Sequence, residues 1–249
     1  MGDGTGVEGR LAGKVAVIAG AGGGMGSATP LHFAREGAKV LLVARRAGPL
    51  TALAQEIEER GGEAAIATAD LATPDGAAAM AQAALDRWGR IDVLFDNLGD
   101  YAFGDQKLHE TAPDEWRYLI SINVDTAYYC THAVLPTMVA QGSGCILLVS
   151  AARRTRREAN VGYAAGKEAL VGLTRTLARE YREHGIRVNC ICPGAIGDSR
   201  GAEDAELPPT ALARDGHPAD VALSAVYLAG GEAAWVTGQI LDVDGGDSL

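Results

Sequence analysis

Short, almost unbroken apolar runs alternate with longer helical stretches along most of this 249-residue chain. KVAVIAG (14–20), AKVLLVA (38–44), EAAIATA (63–69), IDVLFDN (91–97), GCILLVS (144–150) and IRVNCICPG (186–194) are such runs, and QILDVDGG closes the series. A strand with one face in water alternates apolar and polar residues, whereas a strand apolar throughout is covered on both faces. Helical periodicity fills the intervals at 26–36, 48–60, 74–89, 112–140, 162–184 and 218–229. A helix between two strands returns the chain to its starting end, so the strands pair in parallel. The pattern predicts an α/β fold with a parallel sheet and helices on both faces.

Hydrophobic residues make up 47% of the chain, enough for a large core, and no composition shift marks a linker. One domain over 14–249 is expected, preceded by a flexible tail, MGDGTGVEGRLAG (1–13), that lacks the apolar centre of a signal peptide. The net charge is −10 without a long run of either sign, which argues against nucleic acid or an anionic membrane as partner. No apolar run is long enough to span a bilayer. Cys130, Cys145, Cys190 and Cys192 lack zinc-ligand spacing and read as structural thiols of a cytoplasmic protein. Cys190 and Cys192 alternate within a strand and are expected on opposite faces, unable to bridge. The histidines form no HExxH motif, no G-x-S-x-G is present, and no metal site is expected.

The first strand runs into AGAGGGMGSA (19–28), with Gly20, Gly24 and Gly26 at the strand-to-helix turn. Glycines there let backbone N–H groups approach a pyrophosphate at a helix N-terminus. Pro30 falls inside the helix that follows and predicts a late start or a kink. At the end of the second strand of such folds, an acid accepts from a ribose 2′-hydroxyl, while arginine suits a 2′-phosphate. The sequence there is LLVARRAG, with Ala44 in the acid's place and Arg45 and Arg46 beside it. This favours NADP(H), with NAD(H) as the alternative. Further on, Tyr163 and Lys167 stand four apart in VGYAAGKEAL, one helical turn from each other on one face. They are a surface pair, or a phenol whose pKa an ammonium lowers.

These segments, taken in order, resemble the short-chain dehydrogenase/reductase family in its shorter single-domain branch, from about Lys14 to Gly246. The motifs are AGAGGGMG, AD (69–70), DNLG (96–99), SIN (121–123), VS (149–150), YAAGK (163–167), VNCICPGAI (188–196), GHPADVA and VTGQILDVDGG. The resemblance implies a Rossmann-like doubly wound, seven-stranded parallel sheet in the order 3-2-1-4-5-6-7, and a homotetramer or dimer. It implies a catalytic set of Asn123, Ser150, Tyr163 and Lys167. It also implies that Gly20, Gly24, Met25 and Gly26 form the cofactor turn. Asp70 and Leu71 would touch the adenine and Asn97 and Gly99 border the ribose. Pro193, Gly194 and Ile196 would border the nicotinamide. Three positions depart from the family pattern. Ala19 replaces a threonine at the start of the cofactor loop, Asp96 replaces the first asparagine of N-N-A-G, and Asp198 replaces the threonine of P-G-x-x-x-T, with Ser199 as a substitute.

The implied reaction interconverts a small-molecule ketone and a secondary alcohol. Tyr163 exchanges a proton with the substrate oxygen, Ser150 hydrogen-bonds that oxygen, and Lys167 holds the ribose hydroxyls. Asn123 anchors a water on the proton route; alternatively it is a polar residue interrupting a helix and satisfied by backbone. A substrate lid is expected at about 195–217. AARRTRREAN (151–160) reads as solvated loop charge or as a site for an anionic substrate group. A 3-oxoacyl carrier-protein reductase would dock an acidic carrier through basic residues before the fifth strand, where TMVAQGSGC has none. A sugar-nucleotide epimerase would carry a larger C-terminal domain, and a non-catalytic dinucleotide sensor would be expected to lose a member of the set.

Overall fold

The computed structural model describes residues 9–23, 25–101, 104, 106–197, 212 and 214–249. Its strands are β1 (Val15–Ala19), β2 (Lys39–Ala44), β3 (Glu63–Thr68), β4 (Val93–Asp96), β5 (Gly144–Val149), β6 (Ile186–Pro193) and β7 (Ile240–Val243). They form one sheet in the order β3-β2-β1-β4-β5-β6-β7, and every pairing is parallel. Register is tight along the centre, with Val17 opposite both Leu41 and Leu94, and Leu94 opposite Ile146.

Adjacent residues on a strand face opposite ways, and this divides the core in two. Ile18, Leu42, Phe95 and Leu147 point to one side, where Phe33 of α1 (Met25–Arg35), Leu50 of α2 (Ala47–Glu59) and Val226 of α8 (Pro218–Ala229) cover them. Val17, Leu41, Leu94 and Ile146 point to the other side. There they meet Met80 of α3 (Pro74–Trp88), Val134 of α5 (Thr126–Gln141) and Leu170 of α7 (Val161–Tyr181). Both faces are thus closed by helices, which is why the central strands carry no polar alternation. α3 ends where Gly89 takes φ +73°, a left-handed turn that releases the chain into β4.

Several expectations change. Part of the expected tail belongs to the fold: Leu11 is fully buried, its N–H donates to Glu36 O, and Arg10 pairs with Glu36 at 2.6 Å. Pro30 does not delay its helix; α1 starts at Met25 and includes it, leaving Gly26 O without that donor. The long helix expected over 112–140 is α4 (Pro113–Ile120) and α5 joined by a wide π-helical turn at Ser121–Asp125. The basic segment is not a loop: α6 (Arg153–Glu158) occupies it. Cys190 and Cys192 lie on the same face of β6, their sulfurs 3.8 Å apart and both free. Side-chain direction repeats every two residues on a strand, so this spacing puts two thiols together rather than apart.

The packing of Leu11 carries a simple test. Leu11→Ala is expected to lower stability by about 2–5 kcal/mol in urea unfolding, the range for truncating a buried leucine. A loss well under 1 kcal/mol, the size of an ordinary surface substitution, would mean that this segment does not belong to the core.

Candidate active site

Between β1 and β4 the order of connections reverses, and the chain leaves the sheet in opposite directions at neighbouring strand ends. An open cleft of about 480 Å³ lies there, at the C-terminal ends of the strands. One wall is the glycine turn. Gly20 has φ +86°, a conformation that L side chains rarely take, and its N–H donates to Val43 O at 3.0 Å. A Cβ added at Gly26 would strike the carbonyl oxygen of Gly20, so the turn closes only on glycine. Gly22, Gly23 and Met25 line the cleft, and α1 begins at Met25. Gly24 lies outside the described residues.

The ends of β2 and β3 form the floor. Ala44, Arg45 and Arg46 line the cleft, and both arginines are exposed. Asp70 and Leu71 line it too; Asp70 Oδ1 accepts from Ala72 N at 3.1 Å and its carbonyl accepts from Thr73, the N-cap of α3. Asn97 follows β4 and donates its N–H to Ala19 O at 3.0 Å, while its buried side-chain oxygen has no hydrogen-bond partner. At Gly99 an added Cβ would run into the Lys167 ammonium and Asn123 Oδ1, so this position has room only for glycine.

The far wall is built on α7. Asn160 caps it: its Oδ1 accepts from Tyr163 N at 2.9 Å and its Nδ2 donates to Gly104 O. Tyr163 and Lys167 therefore sit in the first two turns, both lining the cleft with Ser150 from the end of β5. Gly162 and Gly166 let α7 approach α4 and the π-helical turn; a Cβ on either would clash with Leu119 or Asn123. Asn123 is buried behind Gly99 and is used entirely on backbone. Its Nδ2 donates to Leu119 O and Asp100 O, and its Oδ1 accepts from Asp100 N. It pins the loop after β4 and does not itself line the cleft.

The electrostatics differ from the simple expectation. Lys167 is buried and donates to Leu98 O at 3.1 Å and Val149 O at 3.0 Å, with its nitrogen 5.8 Å from the centre of the Tyr163 ring. It grips the strand ends rather than lowering the phenol. Burial, with Tyr101 and the Asp100 carboxylate nearby, pushes Tyr163 up to about 12. Burial likewise lowers Lys167 to about 8, and the Asp96 charge opposes that fall. Ser150 Oγ donates to Lys167 O at 2.7 Å and must turn to donate into the cleft.

Pro193, Gly194 and Ile196 do not line the cleft. Gly194 is pressed against Asp244, and Ile196 bridges to Gly216. Asp198, Ser199 and most of the expected lid lie outside the described residues. None of the four α6 arginines lines the cleft: Arg153 pairs with Asp242, Arg154 with Glu158 and Asp247, buried Arg156 with Glu168 and Ala151 O, and Arg157 is exposed. Missed from the sequence were Asn160, whose place just before a helix is an N-cap signal, and Asp100, Tyr101 and Tyr118. Tyr101 stands edge-on to Tyr163 at 5.0 Å, and Tyr118 donates to Asp100 at 2.6 Å. Only the fold brings Tyr118 there.

A dinucleotide fits this cleft. Two glycine positions admit no Cβ, a helix begins at the turn, and the orphaned Asn97 oxygen is a buried acceptor waiting for a donor.

A family model described as enoyl-(acyl carrier protein) reductase matches residues 20–248. The 7α-hydroxysteroid dehydrogenase of Escherichia coli K12 is 34% identical over 245 residues, covering 95% of both chains. A solved 7α-hydroxysteroid dehydrogenase complexed with NADH and 7-oxo glycochenodeoxycholic acid superposes with a TM-score of 0.84 at 32% identity, covering 95% of each chain. A structure from Beutenbergia cavernae with NADP bound at low occupancy superposes with a TM-score of 0.83 at 37% identity, covering 95% of this chain and 97% of that one.

Without ligand, Tyr163 is expected to stay protonated well into the alkaline range. The ultraviolet difference between the wild type and Tyr163→Phe should show a phenolate midpoint near 12 and little signal at the ordinary value of 10. A midpoint at or below 10 would show that Lys167, not burial, governs the phenol.

Proposed function

The chain belongs to the short-chain dehydrogenase/reductase family and is an NAD(P)-dependent oxidoreductase of alcohol and ketone groups; on that premise we propose that it is an NADPH-preferring carbonyl reductase with Tyr163 as its acid. The observation that carries this reading is the cleft itself, with Ser150, Tyr163 and Lys167 on one wall and the glycine turn and two arginines across from them. Gly20, Met25, Asp70, Leu71, Asn97 and Gly99 would hold the dinucleotide, and Lys167 its ribose hydroxyls. Bound there, the nicotinamide supplies or accepts the hydride.

The chain's own part is proton transfer and orientation. Tyr163 Oη, held protonated by burial, donates to the carbonyl oxygen as the carbon is reduced, and takes the proton back in the reverse direction. The Ser150 hydroxyl turns from Lys167 O to hydrogen-bond the same oxygen and fix its direction. Lys167 fixes the ribose against the strand ends, which sets the distance between hydride donor and substrate. Asn123 holds the Asp100 backbone and so the rim of the cleft. Tyr163→Phe is expected to keep the fold and cofactor binding while losing most turnover, read at 340 nm on a panel of ketones and alcohols. Near-normal turnover would remove Tyr163 from this role.

The substrate is a small or medium ketone or alcohol. Ion pairs engage Arg153, Arg154 and Arg156, and exposed Arg157 does not line the cleft, so α6 offers little there to an anionic substrate group. The segment Thr137–Cys145 carries no base for an acidic carrier protein. Four buried free thiols suit the reducing cytoplasm, and no described helix is long and apolar enough to cross a membrane. On α5, Tyr128 is 53% exposed and packs on Tyr129 and His132, a surface suited to a second copy in a homotetramer or dimer. Light scattering at micromolar concentration should give a multiple of the chain mass; a monomer would refute the assembly.

NADPH preference rests on Ala44, Arg45 and Arg46. A charge-assisted hydrogen bond is worth roughly 1.5–3 kcal/mol, which is about a ten- to hundred-fold preference. Ala44→Asp should reverse it by setting a carboxylate against the 2′-phosphate and offering an acceptor to the NADH ribose. The measurement is kcat/KM with each cofactor at fixed modest salt. Equal values in the wild type would mean that the arginines face solvent.

A further inference from the structure

Asp96 ends β4 where the family pattern has an asparagine, and the reaction as described makes no use of it. It is 3% exposed, as is Lys167. Its Oδ1 accepts from Leu98 N–H at 3.1 Å, while Lys167 donates to Leu98 O at 3.1 Å. Two opposite charges therefore hold the two ends of one residue's backbone, immediately before Gly99. The other carboxylate oxygen, Oδ2, is buried with no hydrogen-bond partner. A desolvated carboxylate oxygen without a donor is costly, and a nearby cation is what offsets that cost.

Lys167 is in the complementary position. The acceptors of its ammonium are the neutral carbonyls of Leu98 and Val149. The titratable groups around it are Tyr163 on its own helix, Cys190 and Cys192 from β6, and Asp96 from β4. Cys130 of α5 lies beside Asp96, and its thiol is pushed well up by burial and that charge. Asp100 is occupied by Tyr118. Asp96 and Lys167 make no direct ion pair; they meet through the backbone of Leu98, and across that one residue Asp96 is the carboxylate whose charge acts on the ammonium.

We propose that Asp96 is the buried counter-charge that keeps Lys167 protonated and pins the Leu98–Gly99 turn against it, making Asp96 a positioning residue of the cleft. Its catalytic consequence rests on the reading of Lys167 as the holder of the ribose; its effect on the Lys167 proton does not. Asp96 is raised to about 6 and Lys167 lowered to about 8, so both are charged between those values. An asparagine at 96 would keep an acceptor for Leu98 N–H and remove only the charge.

The chain has four lysines, Lys14, Lys39, Lys107 and Lys167, so protein labelled with ¹³C at lysine Cε gives a readable titration. Lys167→Arg assigns the signal. In the wild type the Lys167 signal should titrate near 8 and show a second inflection near 6, as Asp96 ionises beside it. In Asp96→Asn the second inflection should vanish and the Lys167 midpoint fall by about one pH unit, a tenfold loss of ammonium at alkaline pH. NADPH affinity, followed by nucleotide fluorescence, should then weaken from a correspondingly lower pH. An unmoved midpoint in Asp96→Asn, or a wild-type signal without the inflection near 6, overturns the proposal. The wild-type titration decides it even where the variant fails to fold. A midpoint that moves while NADPH affinity does not follow upholds Asp96 as counter-charge and counts against Lys167 as the holder of the ribose.

Discussion

A buried ammonium must be given oxygen atoms, and the site is organised around how Lys167 obtains them. Its partners, Leu98 O and Val149 O, lie just past β4 and at the end of β5, so the lysine ties α7 to two neighbouring strand ends. That link requires α7 to lie close, which Gly162 and Gly166 permit by leaving space for Leu119 and Asn123. It also requires a bare backbone at Gly99, where any side chain would displace the ammonium. Tyr163, one turn earlier and capped by Asn160, is carried to the same wall. The geometry of the chemistry is thus a by-product of satisfying one cation in a dry place.

The π-helical turn at Ser121–Asp125 belongs to the same arrangement. Beside the wider turn the Asn123 side chain donates to Leu119 O and also grips the Asp100 backbone on both its N–H and C=O. Asn123 thus ties the π-helical turn to the rim of the cleft at Asp100. This is in keeping with π-turns as features of functional sites rather than faults.

Much of this was legible in the chain. Apolar runs too continuous for a half-exposed strand announced a sheet covered on both faces, and glycines after the first run announced the turn. Tyr163, Ser150 and Lys167 came from ordered motifs at family spacing, and all three reach the cleft. Where the reading failed, it failed on partners. The thiols of Cys190 and Cys192 share one face, against expectation, because a spacing of two on a strand keeps side chains together. Three of the α6 arginines are solvated as expected, but Arg156 is buried, because its partners Glu168 and Ala151 O lie on other elements. Leu11 reads as tail because one leucine among glycines has no periodicity, and its contact at Glu36 lies in the turn after α1, far along the chain.

The sequence by itself determined the kind of fold, the place of the glycine turn and the identity of the side chains proposed to react. These depend on local periodicity, on backbone freedom and on residue chemistry, all of which are written within a few residues of each other. Only the tertiary structure decided their electrical state. Tyr163 and Lys167 on an isolated helix would both meet water, and the ammonium would favour the phenolate. In the folded chain burial removes much of that water, and the ammonium meets two carbonyls instead. Burial raises the phenol to about 12 and lowers the amine to about 8, because desolvation penalises whichever form carries the charge.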